Sequence, residues 1–593
     1  MKPKSSKNLL ITLGHNSSAI FVSGNSVIGY EQERLSGIKG DSQFPIDAIN
    51  EIIHNIGIND VKGCNVFISH WLDHKGDKYE FVPTKYMTQK DYEFLCSISK
   101  PEFISFVDNS FTHHDAHAWS ALSFFEYFHS NCKKLPIKQL YTIVADGFGT
   151  NREVISIYQS FYNKDKAPEL IHRVYGYEAS LGLMYQYATS FCGMKENQDE
   201  YKFLGYESHI EEYFSQEKIE YLNDRIADET HRLVGLFEQN INAPSDIETG
   251  TIDEKYLTRI KLDWHGRFRN IISNIPGDDV ELNEFSTRVA IAYVIQGIIE
   301  RFFEHIVHMF NMANVLLAGG CFYNVKLNKH IFDCCGGKFC VMPLAGDQGA
   351  AIGMYHRIMQ SQFPFNTLAI GKRRMYNAKK LMANVPNSCY IKLYNSSEAN
   401  EAAECIAQDI ADGHIVNLIF GDMEFGPRAL CNTSTLMLPT AENVANNNHM
   451  NNRNEVMPCA PVCTAKNAAE LFYEEHLEQV IGSNHFMICT HEYQKPYSNQ
   501  YAGVMHKLPI TILDTYTGRP QIVRDGTFMH NVLTKVEERC DAKCLVNTSF
   551  NVHGRPVAFD IVDILHNFEY QREHAKEGKE PLLYVIEIAD LFR

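Results

Sequence analysis

The chain has 593 residues, of which 45% are hydrophobic and 21% charged, and this composition is typical of several folded domains rather than of a disordered or fibrous protein. Lysine and arginine total 55 and aspartate and glutamate total 72, so the net charge of −17 argues against a protein that mainly binds the phosphate backbone of a nucleic acid. The sequence has no apolar run of roughly 18 residues, no signal-peptide core and no CxxC pair among its 16 cysteines, which predicts a cytoplasmic protein with reduced thiols and no membrane partner.

Strand-like and helix-like segments alternate along the chain, and this alternation predicts an α/β fold. The predicted strands are residues 9–13, 18–22, 27–31, 140–145, 154–159, 315–318, 339–343, 415–420 and 544–547. Residues 18–31 have the pattern of a hairpin that turns at Gly24 and Asn25. Residues 285–311 and 347–359 have helical periodicity. A charged, helix-forming stretch at about 206–284 is interpreted as an insertion, and a loose basic stretch near 365–380 predicts domains at 1–367 and 368–593.

Three predicted strands run into glycine-containing turns that carry a polar or acidic residue, at residues 13–18, 144–149 and 344–349. Glycine at a strand end allows backbone N–H groups to approach a phosphate, because no side chain blocks them. An acidic residue in such a turn can hold a divalent metal. Three turns of this kind in one domain predict a nucleotide or metal cleft at the carboxyl ends of the strands.

The stretch His113-His114-Asp115-Ala116-His117 leads into a segment that looks helical. His113 and His117 are spaced i and i+4, so they share one helix face and can bind one cation, while His114 points away. Two histidines do not complete a site, and Asp146 and Asp347 at predicted strand ends are the candidate carboxylates. Two histidines with carboxylates and open positions suit iron or a similar metal.

The second half of the chain has two motifs that follow apolar strands: residues 421–430, with Arg428, and residues 545–556, which combine amides, hydroxyls and glycine. Arg428, Arg453 and Arg519 are candidate anion clamps, since arginine grips phosphate or carboxylate bidentately. Thr548, Ser549 and Asn551 can bind phosphate or a planar carbamoyl group through hydrogen bonds. These residue types predict an anion site in a second α/β domain.

Ordered motifs along almost the whole chain resemble the ATP-dependent O-carbamoyltransferases of the tobramycin, nodulation and cephamycin type. The motifs are the GHxSSA and ERxxxIK patterns at 14–45, HHxxHA at 113–118, the SLG, Y and EYKxxG blocks at 180–205, GGxxxN at 319–324, GDQG at 346–349, MEFGPRAL at 423–430 and NTSFNxxGxP at 547–556. The resemblance implies a duplicated actin/Hsp70-like carbamoyl-transfer domain, similar to the threonylcarbamoyl-transfer proteins, followed by a YrdC-like domain.

In the family that the chain resembles, the second domain makes carbamoyl adenylate from carbamoyl phosphate and ATP with Mg, and the first transfers the carbamoyl group to an acceptor hydroxyl. By position, His113, His117, Asp146 and Asp347 would hold Fe(II) or another divalent metal. His15, Lys39 and Arg428 would be catalytic residues. Nucleotide and carbamoyl phosphate would be bound by Gly319, Gly320, Asn324, Arg453, Arg519, Asn547, Ser549 and Asn551.

The chain departs from the family pattern at several positions. Asn16 stands where an aspartate is usual after the first histidine, Arg555 replaces the usual glutamate, and a usual histidine falls near Leu513. Residues 451–458 lack a lysine and an arginine of the usual segment. The predicted anion site of the adenylation step therefore has fewer basic residues than the family pattern.

The motifs do not identify the acceptor. A hydroxyl of a small molecule, a sugar or a nucleoside is the first expectation, and a homodimer is compatible with the sequence. Residues 255–270 interleave basic residues with Tyr256, Trp264 and Phe268, which suggests a second acceptor, a hydroxymethylated base such as 5-hydroxymethylcytosine in DNA. A third alternative is a family member that binds nucleotide and metal without catalysis. A plain sugar-kinase-like ATPase would lack the 547–551 motif and the histidine pair.

Overall fold

The computed structural model describes residues 6–70, 81, 83–108, 110–129, 139–161, 167–239, 254–275, 284–375, 378–384, 388–453, 459–495, 499–508 and 515–586. The chain forms two compact units. The first unit comprises residues 1–27 and 40–365, and the second comprises residues 28–39 and 366–593. The short segment 28–39 is therefore separated in sequence from the rest of its unit.

The first unit is built on two five-stranded sheets. The strands of the first sheet are β1 (Lys7–Thr12), β2 (Ser18–Ser23), β3 (Ser26–Glu31), β4 (Asn65–Ser69) and β5 (Ile104–Phe106), in the order β3-β2-β1-β4-β5. Residues 28–31 of β3 are counted with the second unit. The second sheet contains β6 (Gln139–Ala145), β7 (Glu153–Phe161), β8 (Glu169–Tyr175), β9 (Val315–Ala318) and β10 (Phe339–Val341), in the order β8-β7-β6-β9-β10.

The two sheets share one topology. In each, the first strand pairs antiparallel with the second and parallel with the fourth, and the fifth extends the parallel side. This repeated strand order confirms the duplicated, actin/Hsp70-like architecture expected from the sequence. Because the carboxyl ends of the parallel strands meet at one edge of each sheet, residues that follow those strands are brought together there.

The helices up to residue 359 include the two that carry the predicted metal ligands. They are α1 (Gln32–Ser36), α2 (Ile46–Ile56), α3 (Ile58–Val61), α4 (Gln89–Ile98), α5 (His113–His129), α6 (Leu181–Phe191), α7 (Glu200–Phe203), α8 (Ile210–Tyr213), α9 (Gln216–Glu238), α10 (Glu254–Ser273), α11 (Glu284–Met309), α12 (Val325–Cys334) and α13 (Asp347–Met359). Helices α5 and α13 pack against each other, α5 also contacts β6 and β9, and α13 contacts β1 and β4. Gly353 permits this packing, since a Cβ there would lie 1.8 Å from the Ala116 carbonyl oxygen.

The second unit has a mixed sheet of seven strands, in the order β12-β22-β13-β15-β21-β16-β20. The unit also has a two-stranded sheet, β11-β14, and a three-stranded sheet, β17-β19-β18. The strands of the three sheets are β11 (Ala369–Gly371), β12 (Ile391–Tyr394), β13 (Val416–Phe420), β14 (Met423–Glu424), β15 (Thr433–Met437), β16 (Ala460–Cys463), β17 (His491–Glu492), β18 (His506–Lys507), β19 (Tyr516–Gly518), β20 (Gln521–Ile522), β21 (Leu545–Ser549) and β22 (Leu582–Ile586). Its remaining helices are α14 (Ala378–Ala383), α15 (Ala399–Ala411), α16 (Ala441–Met450), α17 (Ala465–Leu471), α18 (Glu474–Gln479), α19 (Phe528–Cys540) and α20 (Ile561–His574). Apolar residues of β13, α15 and α19 form its main core.

The α/β class predicted from the sequence is confirmed. Each predicted strand overlaps an observed one, the hairpin turns at Gly24 and Asn25, and the two predicted helices correspond to α11 and α13. Within the described ranges, no helix combines the length and the apolar character needed to cross a bilayer.

Candidate functional site

Four predicted ligands meet in the first unit. The Nε2 atoms of His113 and His117 lie 3.1 Å apart on the first turn of α5. Asp146 Oδ2 lies 3.5 Å from His113 Nε2 and 3.3 Å from His117 Nε2, and Asp347 Oδ1 lies 3.3 Å and 3.8 Å from the same atoms. One potential ligand atom from each residue falls within 4.8 Å of all the others. The structure therefore assembles a set of two imidazoles and two carboxylates.

Each ligand is placed by the end of a regular element. Asp146 follows β6, Asp347 is the first residue of α13, and both histidines come from the start of α5. Thr150 Oγ1 accepts the backbone N–H of His113 at 3.1 Å, and Thr12 Oγ1 donates to the Asp347 carbonyl at 3.3 Å. These contacts anchor the starts of α5 and α13, so the spacing of the ligands depends on backbone rather than on mobile loops.

The histidines and aspartates of the cluster shift one another's pKa values. Burial opposes protonation of His113, but hydrogen bonds with Asp146 and Asp347 outweigh burial and raise the pKa of His113 to about 10. Burial likewise opposes ionisation of the two carboxyls, yet hydrogen bonds with His113 and His117 hold the pKa of Asp146 and of Asp347 below the usual range. The two carboxylates are thus ionised and require a positive charge between them.

The donor set fits a divalent metal. Asp347 Oδ2 is buried without a hydrogen-bond partner, and the buried Asp146 Oδ2 lies beside the two histidine Nε2 atoms, although each carboxylate is charged. Metal–ligand bonds of about 2.0–2.1 Å in a tetrahedral site place ligand atoms roughly 3.4 Å apart, close to the spacings of 3.1–3.8 Å found here. Imidazole with carboxylate suits iron, zinc or manganese. The four residues predicted as ligands lie together in the structure, and their role as metal ligands stays a prediction.

A buried polar network below α5 was not found from the sequence. Arg173 Nη1 lies 3.1 Å from Glu153 Oε2, and Arg173 Nη2 donates to Asp115 at 2.9 Å. Glu153 Oε1 accepts the backbone N–H of His114 at 2.8 Å. Because Glu153 is fully buried, desolvation raises its pKa to about 7. This network fixes the first turn of α5, and an isolated arginine on a strand gives no sequence signal for it.

His114 lies outside the ligand cluster, as its position on the helix predicts. Its Nδ1 lies 2.8 Å from Ser156 Oγ. Burial, followed by the positive charge of Arg173, lowers the pKa of His114 well below its usual value. A neutral ring that contacts Ser156 on β7 serves to hold α5 on the sheet.

The Gly319–Gly320 turn, predicted to bind nucleotide, lies against the cluster. Gly319 has φ +103°, and a Cβ there would lie 2.2 Å from the Ala145 carbonyl oxygen. A Cβ on Gly320 would lie 3.0 Å from Asp146 Oδ1. Only glycine permits this approach, which places backbone free of side chains beside the Asp146 carboxylate. Asn324 caps α12 by accepting the Leu327 N–H, and it donates to Gln296 at 2.8 Å, so its side chain is engaged within the protein.

His15 lies at the same site. It is exposed in the turn between β1 and β2, and its charge acts on both Asp347 and Glu200. Asn16, at the position where the family pattern has an aspartate, has its Oδ1 3.4 Å from the position that a Cβ on Gly346 would occupy. The turns of 13–18, 144–149 and 344–349 therefore lie together, as the sequence predicts.

In the second unit, Arg453 joins the 547–551 motif. Its guanidinium donates to Thr548 Oγ1 at 3.0 Å and to the carbonyls of Ser549 and Asn551 at 2.9 and 2.8 Å. Asn547 is buried, and its Nδ2 donates to the Ala429 carbonyl at 2.9 Å. Arg453 thus shapes the loop that follows β21, and its role as an anion ligand stays a prediction. The altered segment continues into residues 454–458, which lie outside the described ranges.

Glu424 organises the turn that carries Arg428, and sequence reasoning missed it. Its Oε1 accepts the backbone N–H groups of Leu430, Asn432 and Thr433 at 2.8–2.9 Å. Arg373 completes the turn by donating to the Asn432 carbonyl at 3.2 Å. The sequence signal for it was an acidic residue at the end of β14, two residues before Gly426.

Three further residues of the second unit that were predicted to contact phosphate lie shortly after regular elements. Arg428 is half-buried in the turn after β14. Lys39 lies half-buried in the turn after α1, and Arg519 follows β19. Their predicted roles toward phosphate remain predictions.

The basic and aromatic segment at 255–270 lies in α10. Trp264 and Phe268 are 4% and 1% exposed, so these two rings pack inside the first unit and cannot stack on a base in this structure. Arg267 lies 3.3 Å from Asp263 and 3.6 Å from Glu178. The side chain of Tyr256 lies outside what the structure describes.

Comparison with protein families gives two matches. Residues 99–355 match the carbamoyltransferase N-terminus, and residues 407–575 match the carbamoyltransferase C-terminus. The first match contains all four ligands of the cluster, and the second contains Arg428, Arg453 and the 547–551 motif.

Individual relatives extend over the same regions. An uncharacterized protein of Methanocaldococcus jannaschii is 24% identical over 94% of this chain and 95% of its own length. Nodulation protein NolNO of Sinorhizobium fredii is 23% identical over 95% of this chain and 78% of its own length. The 3'-hydroxymethylcephem-O-carbamoyltransferase of Amycolatopsis lactamdurans is 28% identical over 24% of this chain and 26% of its own length. Among solved structures, HypF of T. kodakarensis is 14% identical, with a TM-score of 0.28, over 60% of this chain and 48% of its own.

Proposed function

The chain belongs to the carbamoyltransferase family, and we propose from this that it is an ATP-dependent O-carbamoyltransferase. It makes carbamoyl adenylate from carbamoyl phosphate and ATP and transfers the carbamoyl group to an acceptor hydroxyl. The observation that carries the proposal is the buried cluster of His113, His117, Asp146 and Asp347 beside the Gly319–Gly320 turn.

The proposed reaction has two balanced halves. Water splits carbamoyl phosphate into carbamate and phosphate, and a carbamate oxygen then attacks the α-phosphorus of ATP and expels pyrophosphate. In the second half, the acceptor oxygen bonds to the carbamoyl carbon, the bond from that carbon to AMP breaks, and the hydroxyl proton leaves. Phosphate, pyrophosphate and AMP are therefore released in equal amounts with the carbamoylated product.

In the first unit, the cluster residues would hold Fe(II) or another divalent metal. Such a metal, when bound, supplies a Lewis acid that polarises an oxygen of the reacting groups. His15 is exposed, and it is near enough to Asp347 and Glu200 to interact electrostatically with both carboxyl groups. This position supports His15 as the group that takes the proton from the acceptor hydroxyl. The backbone of Gly319 and Gly320, free of side chains, binds the adenylate.

In the second unit, the adenylation half requires positive charge and hydrogen bonds for two phosphate groups. Arg428 and Lys39 supply charge, and the amides and hydroxyls of the loop that Arg453 organises bind the carbamoyl group and phosphate oxygens. Arg519 completes the predicted anion site. The support for this half is the family match and the ordered loop at 547–551.

For the acceptor, we propose a hydroxyl of a small molecule, a sugar or a nucleoside. The relative from Amycolatopsis lactamdurans is a 3'-hydroxymethylcephem-O-carbamoyltransferase, whose name denotes a hydroxymethyl group on a small molecule as the acceptor, and this favours that class. A hydroxymethylated base in DNA is the second candidate, on the basic residues of α10, but the burial of Trp264 and Phe268 removes two of the rings that motivated it.

The test is an assay of the full chain with labelled carbamoyl phosphate, ATP and Fe(II). The pooled acceptors are aminoglycosides, nucleosides and hydroxymethylated single- and double-stranded DNA, and mass spectrometry reports any product heavier by one carbamoyl group. A product on one acceptor, with equal AMP and pyrophosphate, supports the proposal. Pyrophosphate without product supports the adenylation half and excludes the pooled acceptors. If neither AMP nor pyrophosphate is released, the result contradicts the proposal and favours a binding protein without catalysis.

A further inference from the structure

A second group of metal-ligating side chains lies on the surface of the first unit, on two packed helices. Glu304 and His308 are spaced i and i+4 near the end of α11, and His330 and Cys334 have the same spacing at the end of α12. Helices α11 and α12 contact each other. Residues with this spacing share one face of a helix, and the two faces meet along the contact.

The donor atoms of this group are close together. One atom each from Glu304, His308 and Cys334 lies within 4.8 Å of the others. Glu304 Oε1 lies 3.8 Å from His308 Nε2, and Glu304 Oε2 lies 3.2 Å from His330 Nε2. The upper limit of 4.8 Å on the distances between these donor atoms is about an ångström longer than the spacing of ligand atoms in a tetrahedral zinc site. The side chains of His308 and Glu304 are 64% and 43% exposed, so rotation about their side-chain bonds would bring the donor atoms closer together.

The charge around the group favours a cation. Glu304 pairs with the imidazoles of His308 and His330, and no lysine or arginine in the described part of the chain pairs with it. The carboxylates of Glu300 and Asp333 also act electrostatically on the Cys334 thiol. Lys329 balances Asp333. In the described part of the chain, no lysine or arginine therefore neutralises the negative charge that Glu304 places beside the Cys334 thiol.

We propose that Glu304, His308 and Cys334 bind a Zn²⁺ ion, with His330 as a positioning residue that orients the Glu304 carboxylate. Sulfur, imidazole and carboxylate are the donors that zinc combines in proteins, and a hydrogen-bonded partner behind a ligand is the usual second layer of such a site. On binding, the Cys334 thiol gives its proton to solvent and the thiolate ligates the metal. A water molecule takes the fourth position.

The location of this site indicates what it would stabilise. Helix α12 begins directly after the Gly319–Gly320 turn, and its first residue follows the cap Asn324, which hydrogen-bonds Gln296 on α11. The proposed zinc ligands lie near the carboxyl-terminal ends of both helices, whereas Gln296 lies in the middle of α11 and Asn324 caps the start of α12. Zinc would therefore join α12 to α11 at the end opposite the Asn324–Gln296 contact and limit the movement of the helix behind the turn. This role does not depend on the proposed transfer reaction.

Cobalt provides a direct test, because only this site among the two clusters contains sulfur. The full chain, stripped of metal, is titrated with Co²⁺, and the near-ultraviolet band of thiolate-to-cobalt charge transfer is followed. We expect the band in the wild type, its loss in Cys334→Ser, and its retention in the matched control Cys335→Ser, which changes the adjacent thiol. A band that persists in Cys334→Ser, or the absence of any band in the wild type, overturns the proposal.

Zinc content gives an independent test. Wild-type protein dialysed against zinc should hold one equivalent more zinc by elemental analysis than the His308→Ala/Cys334→Ser variant, whatever the histidine cluster binds. His308 is 64% exposed, so this variant should fold, which circular dichroism verifies. His330→Ala should retain the cobalt band with at least about tenfold weaker affinity, as expected for loss of a partner behind a ligand. Equal zinc content in the wild type and the double variant contradicts the proposal.

Discussion

Arg34 Nη2 donates to the carbonyl of Gly426 at 3.1 Å, and the two residues are 392 positions apart in the chain. Glu31 completes the contact, since its Oε2 accepts from Arg34 Nε at 3.1 Å and from the Gly426 N–H at 3.3 Å. All three residues belong to the second unit. The ERxxxIK motif near the N-terminus therefore supports the turn of the second unit that carries Arg428.

We expect Arg34→Met to destabilise the second unit, because it leaves the Glu31 carboxylate buried without its partner. Loss of one member of a buried ion pair costs about 3–5 kcal/mol, measurable by urea unfolding. The double variant Glu31→Gln/Arg34→Met should recover part of that loss, since the buried charge at position 31 is then also removed, while Glu33, the other carboxylate that Arg34 contacts at 3.1 Å, is 20% exposed. Equal stability of Arg34→Met and wild type would contradict the structural role assigned to the pair.

We expect Asp347→Asn to lose the metal of the histidine cluster and at least about 100-fold of the transfer rate, because it removes one of two anionic ligands. Elemental analysis and product formation measure the two effects. Asp60→Asn, on a side chain that is 72% exposed, is the control and should match the wild type. Full metal content in Asp347→Asn would exclude this residue as a ligand.

We expect metal binding at this cluster to strengthen with pH. In the metal-free protein, the pKa of His113 is raised to about 10, so below that pH a metal must displace its proton. The affinity should rise about tenfold per pH unit up to about pH 10, and each metal bound at neutral pH should release about one proton from this ring. Calorimetry in buffers of different ionisation enthalpy counts the protons. An affinity independent of pH between 6 and 8 would contradict the assignment.

We expect Gly319→Ala to be more destabilising than an ordinary glycine substitution at positive φ. The new Cβ would meet the Ala145 carbonyl at 2.2 Å and displace the turn beside Asp146. Gly24→Ala is the matched control, because Gly24 also has positive φ but has open space around its Cβ position. The control should lose about 1–2 kcal/mol from the backbone conformation alone, and Gly319→Ala should lose more and also reduce transfer. Thermal unfolding compares the two.

Short stretches of the sequence determine the local features of this protein. The i and i+4 spacing of His113 and His117, the hairpin at Gly24 and Asn25 and the helix that begins at Asp347 all depend on neighbours within a few residues. Side-chain periodicity and turn chemistry act at that range. The motifs of glycine and aspartate at strand ends also indicated which residues meet at a sheet edge, because parallel strands bring their carboxyl ends together.

Other features were decided only by tertiary packing. The positions of Glu153 and Arg173 under α5, of Glu424 within its turn, and of residues 28–39 in the second unit have no local pattern. The burial of Trp264 and Phe268 likewise depends on which face of α10 packs inward. Such contacts join residues far apart in the chain, and their energy comes from burial and from satisfying polar groups in a low dielectric. Composition and spacing cannot encode them, because they exist only once the folded chain brings both partners together.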